Sequence, residues 1–100
     1  MMIVQRTFNL IDDKKDEFLS CLDAIYPDLE SDPYIQTFAV VVPEETNSTV
    51  MVRIILQNDA AWEERMQLDY VKAFLARTAE LVESIDTRND VVMRFYNRAD

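Results

Sequence analysis

The 100-residue chain contains no glycine, and this absence limits the turns and binding loops that it can form. Glycine-rich phosphate-binding loops of nucleotide-binding proteins are excluded, because their backbone requires glycine at fixed positions. Turns that need a positive φ must use Asn or Asp, which tolerate this conformation next best. In the polar segment between the second and third predicted strands, Asn47 is the best candidate for such a residue.

The chain also contains no histidine and only one cysteine, Cys21. The lack of histidine excludes histidine acid–base catalysis, Ser-His and Cys-His nucleophile pairs, histidine-ligated haem and most zinc sites. Cys21 falls on the apolar stripe of the first predicted helix, so we interpret it as a buried and unreactive thiol. The acidic residues do not follow the spacing of a calcium or magnesium loop, and no metal site is predicted.

The chain is acidic, and its acidic residues are unevenly distributed. The net charge of −9 disfavours binding to nucleic acid. From Asp12 to Asp32, eight carboxylates and two lysines give a local net charge of −6. Such a run is typical of a solvated helix face, and the alternative is an acidic face that binds a basic partner or imitates nucleic acid.

Length and hydropathy predict a single folded domain over residues 1–100. No apolar run approaches the ~20 residues of a membrane span, so no membrane association is expected. The N-terminal residues lack the basic head and long apolar middle of a signal peptide and predict a strand instead. A single cysteine cannot form an internal disulfide, and the expected location is the reducing cytoplasm.

Apolar periodicity and turn signals predict the order β-α-β-β-α-β. The first half of the chain predicts a strand over 2–10 and a helix that is capped by Asp12 or Asp13 and ends or breaks near Pro27. A hairpin of strands over 34–42 and 50–57 follows. A helical region then runs from Asn58-Asp59 to about Ser84, with a kink or break near Leu68-Asp69, and the last predicted element is a strand over 91–97. This order predicts an α+β, ferredoxin-like fold whose antiparallel sheet has helices on one face.

The second face of such a sheet is exposed to water unless another surface covers it. If Val50, Val52 and the residues that alternate with them face the helices, Met51 and Ile55 lie on the second face. Because this face is not uniformly polar, we expect two copies to pack there as a homodimer with a barrel-like shared core.

Two stretches show a resemblance to a known family. DDKKDEFL begins the first helix, and LQNDAAWEERMQLDYVKAF over 56–74 contains a short helix, a polar break at Leu68-Asp69, then Tyr70 and the step Lys72-Ala73-Phe74. In these stretches and in element order, the chain resembles the antibiotic biosynthesis monooxygenase family of the dimeric α+β barrel superfamily. Members often carry Trp at the position of Leu56, and histidines near Arg65 and Tyr70.

The resemblance implies a pocket between sheet and helices in each subunit of a dimer. It also implies a small organic ligand and, for the oxygenases, O₂ chemistry without metal, flavin or other cofactor. Some relatives isomerise or otherwise process small metabolites. The absence of histidine excludes the haem-degrading branch.

Arg6 and Tyr70 are the predicted catalytic residues, because cofactor-free chemistry needs a cation near a developing oxyanion and a polar group that fixes the substrate. Arg6 lies among the apolar residues of the first strand, and the alternative is that its head pairs with a helix carboxylate. Tyr70 lies at the break of the second helical region, where its hydroxyl could bind a substrate oxygen or transfer a proton. The alternative is a structural tyrosine whose ring is buried and whose hydroxyl is exposed to solvent.

The predicted substrate-binding residues are Phe8, Leu56, Trp62, Arg65 and Phe74. Trp62 forms an apolar i, i+4 pair with Met66 and either roofs a pocket or packs in the core. Arg65 lies one turn after Ala61, where an exposed side chain is the alternative, and its place in the family pattern makes it a candidate.

Two functional hypotheses follow. The first is a monooxygenase-like protein that oxidises or isomerises a small enolisable organic molecule without a cofactor. The second is a non-catalytic interaction or regulatory module on the same fold, whose acidic first helix binds a basic partner. Convergence of Arg6 and Tyr70 on one enclosed space favours the first, and a packed interior without space favours the second.

Overall fold

The computed structural model describes residues 2–44 and 48–89, so the strand predicted over 91–97 and the turn residue Asn47 lie outside the described residues. The elements are β1 (Met2–Leu10), α1 (Lys15–Ala24), α2 (Tyr26–Ser31), β2 (Ile35–Val41), β3 (Thr49–Leu56), α3 (Asp59–Arg65), α4 (Asp69–Thr78), a 3₁₀ turn (Ala79–Leu81) and β4 (Val82–Arg88). Among the described residues, no helix is long and apolar enough to cross a membrane.

The four strands form one antiparallel sheet with the order β2-β3-β1-β4. Strand β1 is central: it pairs with β3 from Met2↔Leu56 to Asn9↔Thr49 and with β4 from Gln5↔Arg88 to Leu10↔Val82. This strand order, with the helices packed on one face, confirms the predicted ferredoxin-like α+β fold.

The end of the second helical region differs from the prediction. The helix was expected to reach about Ser84, but α4 ends at Thr78 and residues Val82–Arg88 form β4. The free edge of β1 explains the difference: its backbone N–H and C=O groups need partners, and β4 supplies them. The segment VESIDTR mixes polar and apolar residues, so its periodicity alone did not show this pairing.

The core lies between the sheet and the helices. Its buried members are Val4, Phe8 and Leu10 of β1, Val50, Val52, Ile54 and Leu56 of β3, and Phe18, Leu22, Ala61, Phe74 and Leu81 from the helical segments. Three phenylalanines join β1, α1 and α4: ring centroids lie 4.9 Å apart for Phe8 and Phe18 and 5.8 Å apart for Phe18 and Phe74. Each such buried side chain contributes about 1.5–3 kcal/mol, so this cluster fixes both helices on the sheet. Cys21 is partly buried against the same core.

The turn from β1 into α1 uses Asp13 with a φ of 67°, as expected for a chain in which Asp and Asn replace glycine. The predicted capping role of Asp12 or Asp13 is wrong, because α1 begins at Lys15 with Lys14 at the cap and no capping side-chain bond. Asp13 instead adopts the left-handed turn conformation. Pro27 stands in the first turn of the short helix α2, where its missing N–H costs nothing.

The predicted break in the second helical region is confirmed, and it separates α3 from α4. Asn58 caps α3 by accepting a hydrogen bond from the Ala61 N–H at 3.0 Å. The chain then turns through 66–68, and α4 starts after Leu68, which has an extended ψ of 137°. The break places Arg65 at the end of one helix and Tyr70 at the start of the next, on the same side of the sheet.

Candidate functional site

A cavity of about 30 Å³ lies between the helix face of the sheet and helices α1, α3 and α4. A buried water needs roughly 10–15 Å³, so the cavity has space for about two. Three polar residues line it: Arg6 from β1, Arg65 from α3 and Tyr70 from α4. The apolar lining is Phe8, Leu22, Ile25, Phe38, Val52, Val71, Phe74 and Leu75. An apolar cavity with a few convergent polar groups is the usual form of a small-molecule site.

Asp32 organises the polar side of this cavity. Its Oδ2 accepts a hydrogen bond from Arg65 Nε at 3.0 Å and another from the Tyr70 hydroxyl, and its Oδ1 accepts one from the Tyr34 N–H at 2.9 Å. Sequence reasoning missed Asp32 and counted it with the acidic surface. The available signal was its place in Ser31-Asp32-Pro33, where an Asp before Pro favours a turn closed by its own side chain.

Arg65 is buried, and the possibility that it is exposed is excluded. Its side chain retains 5% of its accessible surface and that of Asp32 retains 0%. A guanidinium is found at this depth when a carboxylate compensates its charge with good geometry. Arg65 Nη2 also donates to the Tyr70 hydroxyl at 3.4 Å, so the pair holds Tyr70 as well.

Tyr70 is held in its protonated form. Burial of the ring, followed by the hydrogen bond to the Asp32 carboxylate, raises the pKa of Tyr70 to about 12 despite the nearby Arg65 charge. The hydroxyl has one proton, which it donates to Asp32. In this arrangement Tyr70 can accept a hydrogen bond from a ligand, but it has no second proton to donate.

Arg6 has a different environment from Arg65. Its guanidinium lies over the Trp62 ring, with Cζ 4.8 Å from the ring centroid, and Nη2 contacts Met66 Sδ at 3.9 Å. Its Nε is buried and has no hydrogen-bond partner in the described part of the chain. Burial, and secondly the charge of Arg65, lower the pKa of Arg6. Within residues 2–44 and 48–89 no carboxylate forms a salt bridge with Arg6, so the predicted alternative of a helix carboxylate partner is not observed.

The remaining predicted site residues divide into two groups. Phe8 and Phe74 line the cavity, with ring centroids 6.5 Å apart. Trp62 is partly buried and covers Arg6 without lining the cavity itself. Leu56 is completely buried in the core at the end of β3 and does not line the cavity.

The charge balance of the site is opposite to that of the chain. Two guanidiniums, Arg6 and Arg65, and one carboxylate, Asp32, leave an excess of one positive charge at the cavity. The acidic residues of α1 and α2 are exposed, whereas Asp32, directly after α2, is buried, and Lys14 pairs with Glu17 at 3.6 Å. The positive charge of the site therefore favours binding of an anion, whereas the negative charge of the protein surface repels an anion at long range.

The sequence matches no protein-family model and no curated protein. The fold is similar to solved structures of proteins provisionally described as antibiotic biosynthesis monooxygenases. The one from Nitrosomonas europaea has a TM-score of 0.84 at 8% identity and covers 94% of this chain and 100% of its own. The one from Deinococcus radiodurans has a TM-score of 0.82 at 13% identity and covers 100% of both chains. The one from Bacteroides thetaiotaomicron has a TM-score of 0.82 at 14% identity and covers 99% of this chain and 95% of its own. At these identities the similarity establishes a shared fold.

Proposed function

We propose that this chain is a monooxygenase-like protein that binds a small enolisable organic molecule with its polar head in the cavity beside Arg6 and converts it, without a cofactor, by oxidation or isomerisation. The observation that supports this most directly is Arg6, a partly buried cation that lines the cavity with one N–H free of any described partner. Arg6 and Tyr70 line the same partly open cavity, and this convergence supports a ligand-binding protein over an acidic interaction module.

In this proposal Arg6 stabilises the oxyanion that forms when the substrate loses a proton. A fixed charge in a water-poor site acts more strongly on such an anion than it does in water. The Asp32–Arg65 pair keeps Tyr70 in place, and the Tyr70 hydroxyl accepts a hydrogen bond from a substrate hydroxyl. Phe8 and Phe74 contact the apolar body of the substrate.

The chemistry requires an acidic substrate. Asp32 already accepts three hydrogen bonds and Tyr70 stays protonated, so neither is a ready base at neutral pH. Stabilisation by Arg6 must therefore lower the pKa of the substrate enough for water or buffer to remove the proton. In an isomerisation the proton returns at another carbon. In an oxidation the enolate carbon forms a bond to O₂ and, with one proton, gives a hydroperoxide. Loss of water from the hydroperoxide breaks its O–O bond and leaves a carbonyl, so one oxygen atom of O₂ enters the product and the other leaves as water.

The test uses hydroquinones and 1,3-dicarbonyl compounds as substrates. Oxygen uptake reports oxidation, and deuterium incorporation at the acidic carbon, followed by NMR in D₂O, reports proton removal. We expect Arg6→Gln to reduce whichever rate is observed by ~100-fold, the usual effect of removing one oxyanion-stabilising group. The matched control is Arg77→Gln: Arg77 is exposed in the last turn of α4, does not line the cavity and should leave the rate unchanged. Equal rates in the wild type and Arg6→Gln would contradict the proposal.

The proposal includes a homodimer. The sheet face turned away from the helices carries Ala39, Val41 and Met51, and Ala39 and Val41 are exposed. Exposed apolar residues on an antiparallel sheet face support a covering surface, and a second copy provides a complementary one through two-fold symmetry. Light scattering at micromolar concentration is expected to give the mass of two chains, and a stable monomer would refute this part of the proposal.

A further inference from the structure

A second cavity, of about 250 Å³, lies between α2 and the edge of the sheet at β2. Its lining includes Tyr26, Leu29 and Glu30 on the helical side and Ile35, Gln36 and Phe38 on the strand. Phe38 also lines the smaller cavity that contains Arg6 and Tyr70. One aromatic side chain thus borders both spaces.

Phe38 stands where the strand is least constrained. It lies opposite Ile54 on the helix face, beside an irregularity in the β2–β3 register between Ile35 and Thr37. In the described part of the chain β2 pairs only with β3, so its other edge has no ladder partner. A bulge on an edge strand is a common way to redirect a side chain near a site, and Phe38 is only partly buried.

The inner cavity at Arg6 and the outer cavity at α2 and β2 complement each other in size and charge, as two parts of one site would. The inner cavity of about 30 Å³ has the cation but is too small for an organic molecule, whereas the outer one of about 250 Å³ has room but no positive charge. Together they approach the ~300 Å³ at which small-molecule sites begin. Phe38 is the one residue common to the two linings, so its ring is the candidate barrier between them.

We propose that Phe38 is the gate between two halves of one elongated site, and that the ligand is an organic monoanion with an apolar body. This inference rests on the proposed function. The anionic head lies at Arg6, and the body passes the position of Phe38 into the outer cavity, where Leu29 and Ile35 contact it. Glu30 lines the outer cavity and repels a second negative charge at the far end of the ligand.

The test measures binding of three probes through the emission of Trp62, the only tryptophan, which stacks on Arg6. Formate, which has no apolar body, fills the head site alone, biphenyl-4-carboxylate extends past Phe38, and biphenyl-4,4′-dicarboxylate adds a second charge. The variants are Phe38→Ala, Phe38→Leu and Phe38→Trp. The matched control is Val40→Ala, two residues along the same strand face and 42% exposed. Phe38→Leu retains apolar bulk and tests the same idea if the alanine variant does not fold.

We expect Phe38→Ala, and to a smaller degree Phe38→Leu, to bind biphenyl-4-carboxylate ~10-fold more tightly than the wild type, because the cost of displacing the ring disappears. Phe38→Trp should weaken this probe, and Val40→Ala should leave it unchanged. The dicarboxylate should bind more weakly than the monocarboxylate, and Glu30→Gln should reduce that difference.

The gate and the proposed function fail in different ways. If formate binds and Arg6→Gln abolishes binding, but the longer probe responds equally to Phe38→Ala and Val40→Ala, the gate is refuted and the function stands. If no probe binds to any variant, the anion site itself is refuted, and the gate falls with it.

Discussion

Asp32 Oδ2 and Arg65 Nε lie 3.0 Å apart and are the only salt-bridged pair in residues 2–44 and 48–89 with both side chains buried. They are separated by 33 positions in the chain and join the end of α2 to the end of α3. Through the bonds of Tyr70 to both, this contact fixes the polar wall of the cavity. Its energetic consequences can be tested directly.

Asp32→Asn should strongly destabilise the protein. The substitution leaves the Arg65 charge buried without its counter-ion, and breaking a buried pair from one side costs about 3–5 kcal/mol. Guanidinium unfolding, analysed by linear extrapolation, measures the loss. Asp28→Asn on the exposed side of α2 is the control and should leave the unfolding free energy unchanged. Equal stability of Asp32→Asn and wild type would mean that Arg65 finds another partner or reaches water.

Tyr70 makes stability depend on alkaline pH. Its pKa is about 12 in the folded protein, above the ordinary value of 10.0 expected after unfolding. Between these values the unfolded chain binds fewer protons than the folded one, so stability falls as pH rises from about 10 to 12. The contribution of Tyr70 is fully present below pH 10.

Comparison with Tyr70→Phe isolates this effect. The difference in tyrosinate absorbance between wild type and Tyr70→Phe should titrate near pH 12, and the variant should lose less stability over the same range. A difference titration centred on 10 would show that neither the burial of Tyr70 nor its bond to Asp32 persists in solution.

Arg6→Met should separate stability from ligand binding. The change removes a buried Nε without a described partner, which favours the variant, and a stacking contact with Trp62, which favours the wild type. These effects are each about 1 kcal/mol and opposite in sign, so the unfolding free energy should change by no more than about 1 kcal/mol. Formate binding should be lost, whereas Arg77→Met, at an exposed position in the last turn of α4, should retain it. A loss of several kcal/mol would show that Arg6 is chiefly a structural residue.

Asp13 should tolerate glycine better than any β-branched residue. At a φ of 67°, Asp13→Gly should maintain stability, whereas Asp13→Val should cost about 1–2 kcal/mol, because a Cβ branch clashes in the left-handed region. Asp12→Val is the matched control, since the structure assigns positive φ to Asp13 but not to its neighbour. Thermal unfolding followed by circular dichroism measures the three variants. Similar melting temperatures for both valine variants would indicate that the turn relaxes to a negative φ.

Much of the fold could be predicted from local signals. Alternation along β1 and β3, the stripe of Phe18 and Leu22, and the Asn58 cap each involve residues within a few positions of one another. The strand β4 could not be predicted in the same way, because its partner is β1, more than 70 residues earlier. Pairing across the sheet determined its conformation, and the residues 82–88 carry only a weak pattern of their own.

In the candidate site, too, some features could be predicted from the sequence and others depended on contacts between distant segments. Composition alone excluded histidine chemistry and glycine-rich phosphate loops, since a missing residue type is missing in every conformation. The pattern of β1 also placed Arg6 among core residues. Only the tertiary structure showed that Arg65 is buried, that Asp32 compensates its charge, and that Arg6 has no carboxylate partner in the described chain. The physical reason is that burial and ion pairing depend on which distant segments meet, whereas periodicity and composition are properties of the chain itself.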